Sequence, residues 1–131
     1  EKFYKESYIH ILHEISKLNK RIVFVIDVPE LGMDPHSCVV RSLGLLQVNN
    51  NCQNARADID QHQKRYRDLI LEIKKEVPSL EVYDPISIFC DEKKCHSSLN
   101  ARSLYFDSDH LSTYGSQIIF EDFLKKFNII N

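Results

Sequence analysis

The sequence predicts an α/β fold: part of a doubly wound, three-layer domain with a short parallel sheet and flanking helices. Residues 22–26 are five consecutive apolar, mostly β-branched residues, which is typical of a strand buried on both faces of a parallel sheet. Segments with helical periodicity lie before and after this strand and supply the layers that would cover it. The expected order of elements is helix, strand, long loop, helix, strand, loop and helix.

Three amphipathic helices follow from the spacing of apolar side chains. Residues 3–19 and 55–77 carry such side chains at helical intervals, and Pro78 ends the second of these helices. Ser112 is expected to cap a third helix. The apolar face of this third helix is formed by Ile118, Ile119, Phe123, Leu124 and Phe127.

The remaining segments predict a second strand and two loops. Residues 80–85 have the composition of a short strand, and residues 86–90 are expected to form one helical turn. Residues 30–53 and 91–111 lack periodicity and are expected to be loops. The first loop leaves the carboxyl end of the first strand, where open α/β sheets bind ligands.

Composition limits the class of protein. The chain has 131 residues, of which 43% are hydrophobic, and a formal net charge of -2, so no nucleic-acid partner is expected. No apolar run approaches the roughly 20 residues that cross a bilayer. The chain begins at Glu1 inside a predicted helix, so we expect residues 1–131 to be the C-terminal part of a single domain in a longer protein.

Four cysteines bracket two loops. The economical pairing is Cys38 with Cys52 and Cys90 with Cys95, although the sequence allows three connectivities. Disulfides would indicate an oxidising compartment.

Two other roles for the cysteines stay open. A zinc site could combine them with His36 or His96, but the paired C-x-x-C spacing of structural zinc sites is missing. Alternatively, the cysteines are buried free thiols of a cytosolic α/β protein. We expect neither a metal nor another cofactor.

The segment that carries most chemical information is residues 107–115. Asp107 and His110 are three positions apart, which allows the carboxylate to orient one imidazole nitrogen and leaves the other to accept a proton. Asp109 is adjacent to His110 and is less suited to orient it. The alternative is that all three are ordinary loop residues ahead of a helix capped by Ser112.

Several strings together resemble the C-terminal half of an SGNH hydrolase-like domain, from about residue 20 onward. The strings are Val28-Pro29-Glu30, Cys38, Arg41, Tyr83-Asp84-Pro85, Phe89-Cys90-Asp91, Cys95, Leu104-Tyr105 and Asp107-Ser108-Asp109-His110-Leu111-Ser112 with Gly115. The most similar type is the domain appended to membrane-bound acyltransferase-three proteins, which O-acylate bacterial surface glycans such as lipopolysaccharide.

The resemblance implies Ser–His–Asp chemistry, with His110 and Asp107 as the catalytic histidine and acid. The matching serine lies in a Gly-Asp-Ser block that this sequence does not contain, so we expect it upstream in the parent protein and expect this chain alone to be inactive. The implied reaction transfers an acyl group, with acetyl expected, from a donor to a glycan hydroxyl; with water as the acceptor, the same chemistry would be that of an esterase. The implied location is the periplasmic face of the inner membrane, beside an integral membrane acyltransferase domain.

Other expectations concern ligands and assembly. Arg41 and Tyr105 are the candidate substrate-binding residues, while packing and turn formation are the alternative for Tyr105, Tyr83 and Asp84. Two strands leave sheet edges exposed, so a dimer is expected. The alternative function is a non-catalytic, extracytoplasmic module of α/β type that binds a glycan or a protein.

Overall fold

The computed structural model describes the backbone of residues 2–42, 45–48 and 53–129. It describes the side chains of residues 2–35, 38 and 53–129. Within the described part of the chain, no helix is long and apolar enough to cross a membrane.

Four α-helices and eight short strands make up the described chain. The helices are α1 (Lys2–Ser16), α2 (Arg56–Glu76), α3 (Ile86–Phe89) and α4 (Thr113–Lys126), with a 3-10 turn at Pro35–Cys38. The strands are β1 (Ile22–Val25), β2 (Val39–Ser42), β3 (Leu45–Val48), β4 (Gln53–Ala55), β5 (Leu80–Tyr83), β6 (Lys94–His96), β7 (Ser98–Leu99) and β8 (Arg102–Ser103).

These elements form two compact units. The first unit comprises Glu1–Asp27 and His62–Asp84, and the second comprises Val28–Gln61 and Pro85–Asn131. Helix α2 contributes its first turns to the second unit and the rest to the first unit. Each unit has its own buried apolar cluster.

The first unit contains the predicted parallel sheet. β1 and β5 pair in parallel, from Ile22 opposite Leu80 to Val25 opposite Tyr83. The pairing continues one residue further, because the Ile26 N–H donates to the Tyr83 carbonyl at 2.8 Å. Burial of apolar side chains from α1, α2 and both strands drives this packing. The core residues are Leu12, Ile26, Ile70, Ile73, Val77 and Leu80.

The second unit contains antiparallel pairs and a disulfide. β2 pairs with β3, β4 with β6, and β7 with β8. Asn100 and Ala101 join β7 to β8, and both have positive φ, at 51° and 58°, as a two-residue hairpin turn requires. The Cys90–Cys95 disulfide joins two residues that also form an antiparallel bridge.

The predicted α/β class with a short parallel sheet is confirmed, and so are the three long helices and the helical turn at α3. The prediction that residues 30–53 and 91–111 are loops throughout is wrong, because they contain β2, β3, β4, β6, β7 and β8. These strands have two to four residues each, which is too short for alternation to become visible in the sequence.

Candidate active site

The acid and the histidine that the sequence singles out lie side by side in the second unit. The Nδ1 atom of His110 is 3.0 Å from Oδ1 and 2.9 Å from Oδ2 of Asp107. An ionised carboxylate only accepts hydrogen bonds, so the imidazole nitrogen that faces it carries the proton. In the neutral ring, Nε2 is therefore the basic nitrogen. The His110 side chain is 74% exposed.

Asp107 is held by its own backbone as well as by the imidazole. Its Oδ1 accepts the N–H groups of Asp109 at 3.1 Å and of His110 at 2.7 Å. These backbone donors, ahead of the His110 side chain, lower the pKa of Asp107 to about 2. The carboxylate is consequently ionised at neutral pH and can stabilise a charged imidazole.

Asp109 is the more distant of the two acids. Its Oδ1 lies 3.7 Å from Nδ1 of His110 and accepts the hydroxyl of Ser108 at 2.8 Å. Asp107, Asp109 and His110 each offer one ligand atom within 4.8 Å of the others, so these three residues could hold a metal ion. Asp107 and the His110 ring are already hydrogen-bonded to each other, which makes the acid–imidazole pair the simpler interpretation.

Residues 105–111, which we name the His110 loop, are closed on themselves. Tyr105 and Leu111 form an antiparallel bridge at the two ends of the loop. Inside it, the Phe106 N–H donates to the His110 carbonyl at 2.8 Å. The loop is therefore a compact turn that fixes the backbone beneath the Asp107–His110 pair.

Helix α4 anchors the end of the His110 loop. The Ser112 side chain accepts the Gly115 N–H at 3.0 Å and caps the helix, as predicted, and its hydroxyl donates to the Ser103 carbonyl at 2.7 Å. The Ser112 N–H donates to the Leu104 carbonyl at 3.0 Å. Gly115 packs so closely on residue 104 that any Cβ atom would collide with the Leu104 carbonyl oxygen.

The segment Val28–Leu31 anchors the other side of the loop. The Tyr105 hydroxyl donates to the Pro29 carbonyl at 2.9 Å, and the Leu31 N–H donates to the Ser108 carbonyl at 2.7 Å. Tyr105 is 1% exposed. Its ring packs at a tilt on Phe89, with the ring centroids 5.3 Å apart.

A pocket of about 370 Å³ adjoins the acid of the pair. It lies between the chain after Leu31 and the His110 loop. The residues that line it are Gly32, Met33, Asp34, Asp107 and Ser108. Gly32 has a φ of 64°, a conformation in which a side chain would be strained.

Of the two candidate substrate-binding residues, only Tyr105 has a described side chain. Tyr105 lies in the core of the second unit, and its hydroxyl is occupied by Pro29 rather than open to a ligand. The backbone of Arg41 lies in β2, but its side chain is outside the described residues.

The structure describes Cys38, Cys90 and Cys95 but not Cys52. Cys90 and Cys95 are bonded to each other, and both are buried in the apolar cluster of the second unit. Cys38 is buried and disulfide-bonded. Its expected partner, Cys52, lies outside the described residues, so the Cys38–Cys52 pairing stays a prediction.

A second acid–histidine pair was missed from the sequence. His96 Nε2 lies 3.2 Å from Oδ2 of Asp91, next to the Cys90–Cys95 disulfide. The backbone N–H groups of Lys93 and Lys94, ahead of His96, lower the pKa of Asp91 to about 2. The signal in the sequence was an acid directly after Cys90 and a histidine directly after Cys95, which the predicted disulfide brings close together.

Comparison with known proteins identifies the family of this chain. No curated protein and no solved structure matches the chain. The family model described as "SGNH domain (fused to AT3 domains)" matches residues 1–125. The chain therefore belongs to the family of SGNH domains that are fused to AT3, or acyltransferase-three, domains.

Proposed function

We propose that this chain supplies the histidine and the acid of an SGNH-type O-acyltransferase domain in a membrane-bound acyltransferase. The observation that carries the proposal is the hydrogen-bonded pair formed by His110 Nδ1 and the Asp107 carboxylate. The nucleophilic serine lies outside these 131 residues, because the sequence contains no Gly-Asp-Ser block. The family to which the chain belongs supports an association with acyltransferase domains.

In the proposed reaction, Nε2 of His110 removes the proton from the serine hydroxyl as its oxygen attacks the carbonyl carbon of the acyl donor. The protonated imidazole then gives this proton to the leaving group, and an acyl-serine forms. Next, Nε2 takes the proton of a glycan hydroxyl, whose oxygen attacks the acyl-serine. Collapse returns the proton to serine and releases the acylated glycan. Asp107 keeps Nδ1 protonated and stabilises the charged ring in both steps.

The cysteines support a compartment outside the cytoplasm as part of this proposal. A buried disulfide at Cys90–Cys95 is stable in an oxidising environment, which supports an extracytoplasmic position beside the membrane domain. A periplasmic location and an acetyl group as the transferred acyl unit belong to the same proposal. Arg41 remains a candidate contact to the glycan.

The experiment replaces His110 by alanine in the full-length acyltransferase and measures the acylation of its glycan. The matched control is His96→Ala, which removes the other histidine that pairs with an aspartate in this unit. We expect acylation to fall by about 10³-fold or more in His110→Ala and to stay within about twofold of wild type in His96→Ala. Glycan acylation by His110→Ala that equals that of His96→Ala, with both close to wild type, would remove His110 from the mechanism.

The second candidate is a non-catalytic module that binds a glycan or a protein outside the cytoplasm. The observation that favours it is the exposure of the His110 side chain, at 74%, since catalytic pairs usually lie in a closed site. Full retention of glycan acylation in His110→Ala, combined with loss of glycan or protein binding in the same variant, would favour this candidate.

A further inference from the structure

The exposed Asp107–His110 pair rests on a buried contact beneath the His110 loop. The Tyr105 hydroxyl donates to the Pro29 carbonyl at 2.9 Å, and this contact is fully buried. The second link between the same two segments is the bond from the Leu31 N–H to the Ser108 carbonyl, at 2.7 Å. The loop that carries the pair is thus held on the segment Val28–Leu31 at two points.

We propose that Tyr105 is a positioning residue for the Asp107–His110 pair, and that it acts by fixing the His110 loop to the carbonyl of Pro29. This inference rests on the proposed function for its consequence in catalysis. Because the Tyr105 hydroxyl is bonded to the Pro29 carbonyl, the proposed effect passes through the loop backbone. It thereby replaces the expectation that Tyr105 binds substrate.

Exposure explains why the loop needs this support. His110 is 74% exposed and Asp107 is 44% exposed, so their own packing does little to fix them. Their geometry depends on the backbone N–H groups of Asp109 and His110, which both donate to Oδ1 of Asp107. If the His110 loop moved relative to the segment Val28–Leu31, these two hydrogen bonds would lengthen before the packing of the core changed.

Because phenylalanine lacks only the hydroxyl of tyrosine, a substitution at position 105 can test the hydrogen bond to Pro29 separately from the ring packing. The ring packs on Phe89 at 5.3 Å, and phenylalanine at position 105 would keep this packing while it removes the hydroxyl. The readout is the Asp107 carboxyl resonance, followed by NMR as a function of pH in the 131-residue chain. This measurement requires neither the serine nor a substrate.

In Tyr105→Phe, we expect the Asp107 titration midpoint to rise from about 2 toward the ordinary aspartate value of about 3.9. The rise follows because a looser loop weakens the two backbone hydrogen bonds that favour the ionised form. The matched control is Tyr66→Phe in the first unit, where the tyrosine hydroxyl hydrogen-bonds to the backbone of Asp27. That variant should leave the Asp107 midpoint where it is in wild type.

An unchanged Asp107 midpoint in Tyr105→Phe, with a native amide spectrum, overturns the positioning role. If Tyr105→Phe does not fold, 4-fluorophenylalanine at position 105 fills the hydroxyl volume without donating and takes its place in the same comparison. In the full-length protein, kcat should fall by about tenfold or more, with KM within about twofold. A shifted midpoint together with full activity of His110→Ala would keep the positioning role and remove the proposed function.

Discussion

His110 presents a single ring nitrogen, Nδ1, to both carboxylate oxygens of Asp107, at 3.0 and 2.9 Å. The same carboxylate accepts the His110 backbone N–H at 2.7 Å, so residue 107 fixes residue 110 by main chain and side chain together. This double attachment distinguishes the pair from a chance surface contact.

The first prediction concerns the pH dependence of stability. The folded-state pKa of Asp107 is about 2, below the value of about 3.9 expected in the unfolded chain. As the pH falls, the unfolded state therefore binds a proton first. The stabilisation from Asp107 should be complete above about pH 5 and lost as the pH falls through about 4 toward about 2. Urea unfolding of wild type and Asp107→Asn over this range measures it.

Asp91 provides an internal comparison, because its pKa is also lowered to about 2 by backbone donors. Asp91→Asn should remove a component with the same pH window, and the double variant should remove both components. A difference in unfolding free energy between wild type and Asp107→Asn that stays constant across the range would contradict the depressed pKa.

The second prediction concerns the contact between α4 and residue 104. In Gly115→Ala, the new methyl group collides with the Leu104 carbonyl, so the backbone must move apart. We expect a loss of about 1–3 kcal/mol in the free energy of unfolding. Ser116→Ala, at the next and exposed position of α4, should change it by less than about 0.5 kcal/mol. Comparable losses in the two variants would argue against close packing at Gly115.

The third prediction concerns the disulfides. Cys90 and Cys95 are five positions apart. Removing this bridge in Cys90→Ala/Cys95→Ala should lower the free energy of unfolding by about 2 kcal/mol in the chain-entropy model.

The number of free thiols tests the second bridge. After alkylation of the denatured, unreduced chain, intact mass should show no added groups, as expected if Cys38 and Cys52 are also bridged. Two added groups would refute the second bridge.

The fourth prediction concerns self-association. Helix α1 and the turn after it expose apolar side chains at alternating intervals of four and three, which is the spacing of a helix–helix seam. These exposed side chains are Tyr4, Tyr8, Ile11, Ile15 and Leu18. We expect a dimer in sedimentation velocity that Ile11→Glu dissociates, while His10→Glu on the neighbouring exposed position does not. A monodisperse wild-type monomer at every concentration would contradict this prediction.

The sequence predicted the long elements because their signals are strong. Five apolar residues at 22–26 identified strand β1, but the expected burial on both faces is wrong, because Ile22, Val23 and Phe24 are half-buried and Val25 is exposed. Helical spacing identified α1, α2 and α4. The short strands were missed because a ladder such as Gln53–Ala55 with Lys94–His96 has polar residues and depends on tertiary pairing. The local sequence of a strand does not indicate which distant segment it will pair with.

In the candidate site, the sequence likewise indicated the local pair but not the contacts between distant segments. The spacing of Asp107 and His110 identified the pair, since both residues belong to one turn. Packing of Tyr105 was one of the two expectations for this residue, but the partner of its hydroxyl was not predictable, because Pro29 lies 76 positions earlier in the chain. The need for glycine at position 115 likewise depends on the position of the Leu104 carbonyl.

The most direct test of the central claim asks whether His110 activates a serine. The full-length protein would be treated with a fluorophosphonate, which reacts with activated serines, and the adduct would be measured by intact mass. We predict one adduct in wild type and in His96→Ala, and no adduct in His110→Ala. Equal labelling of His110→Ala and wild type, or no labelling of folded wild type, would contradict the account.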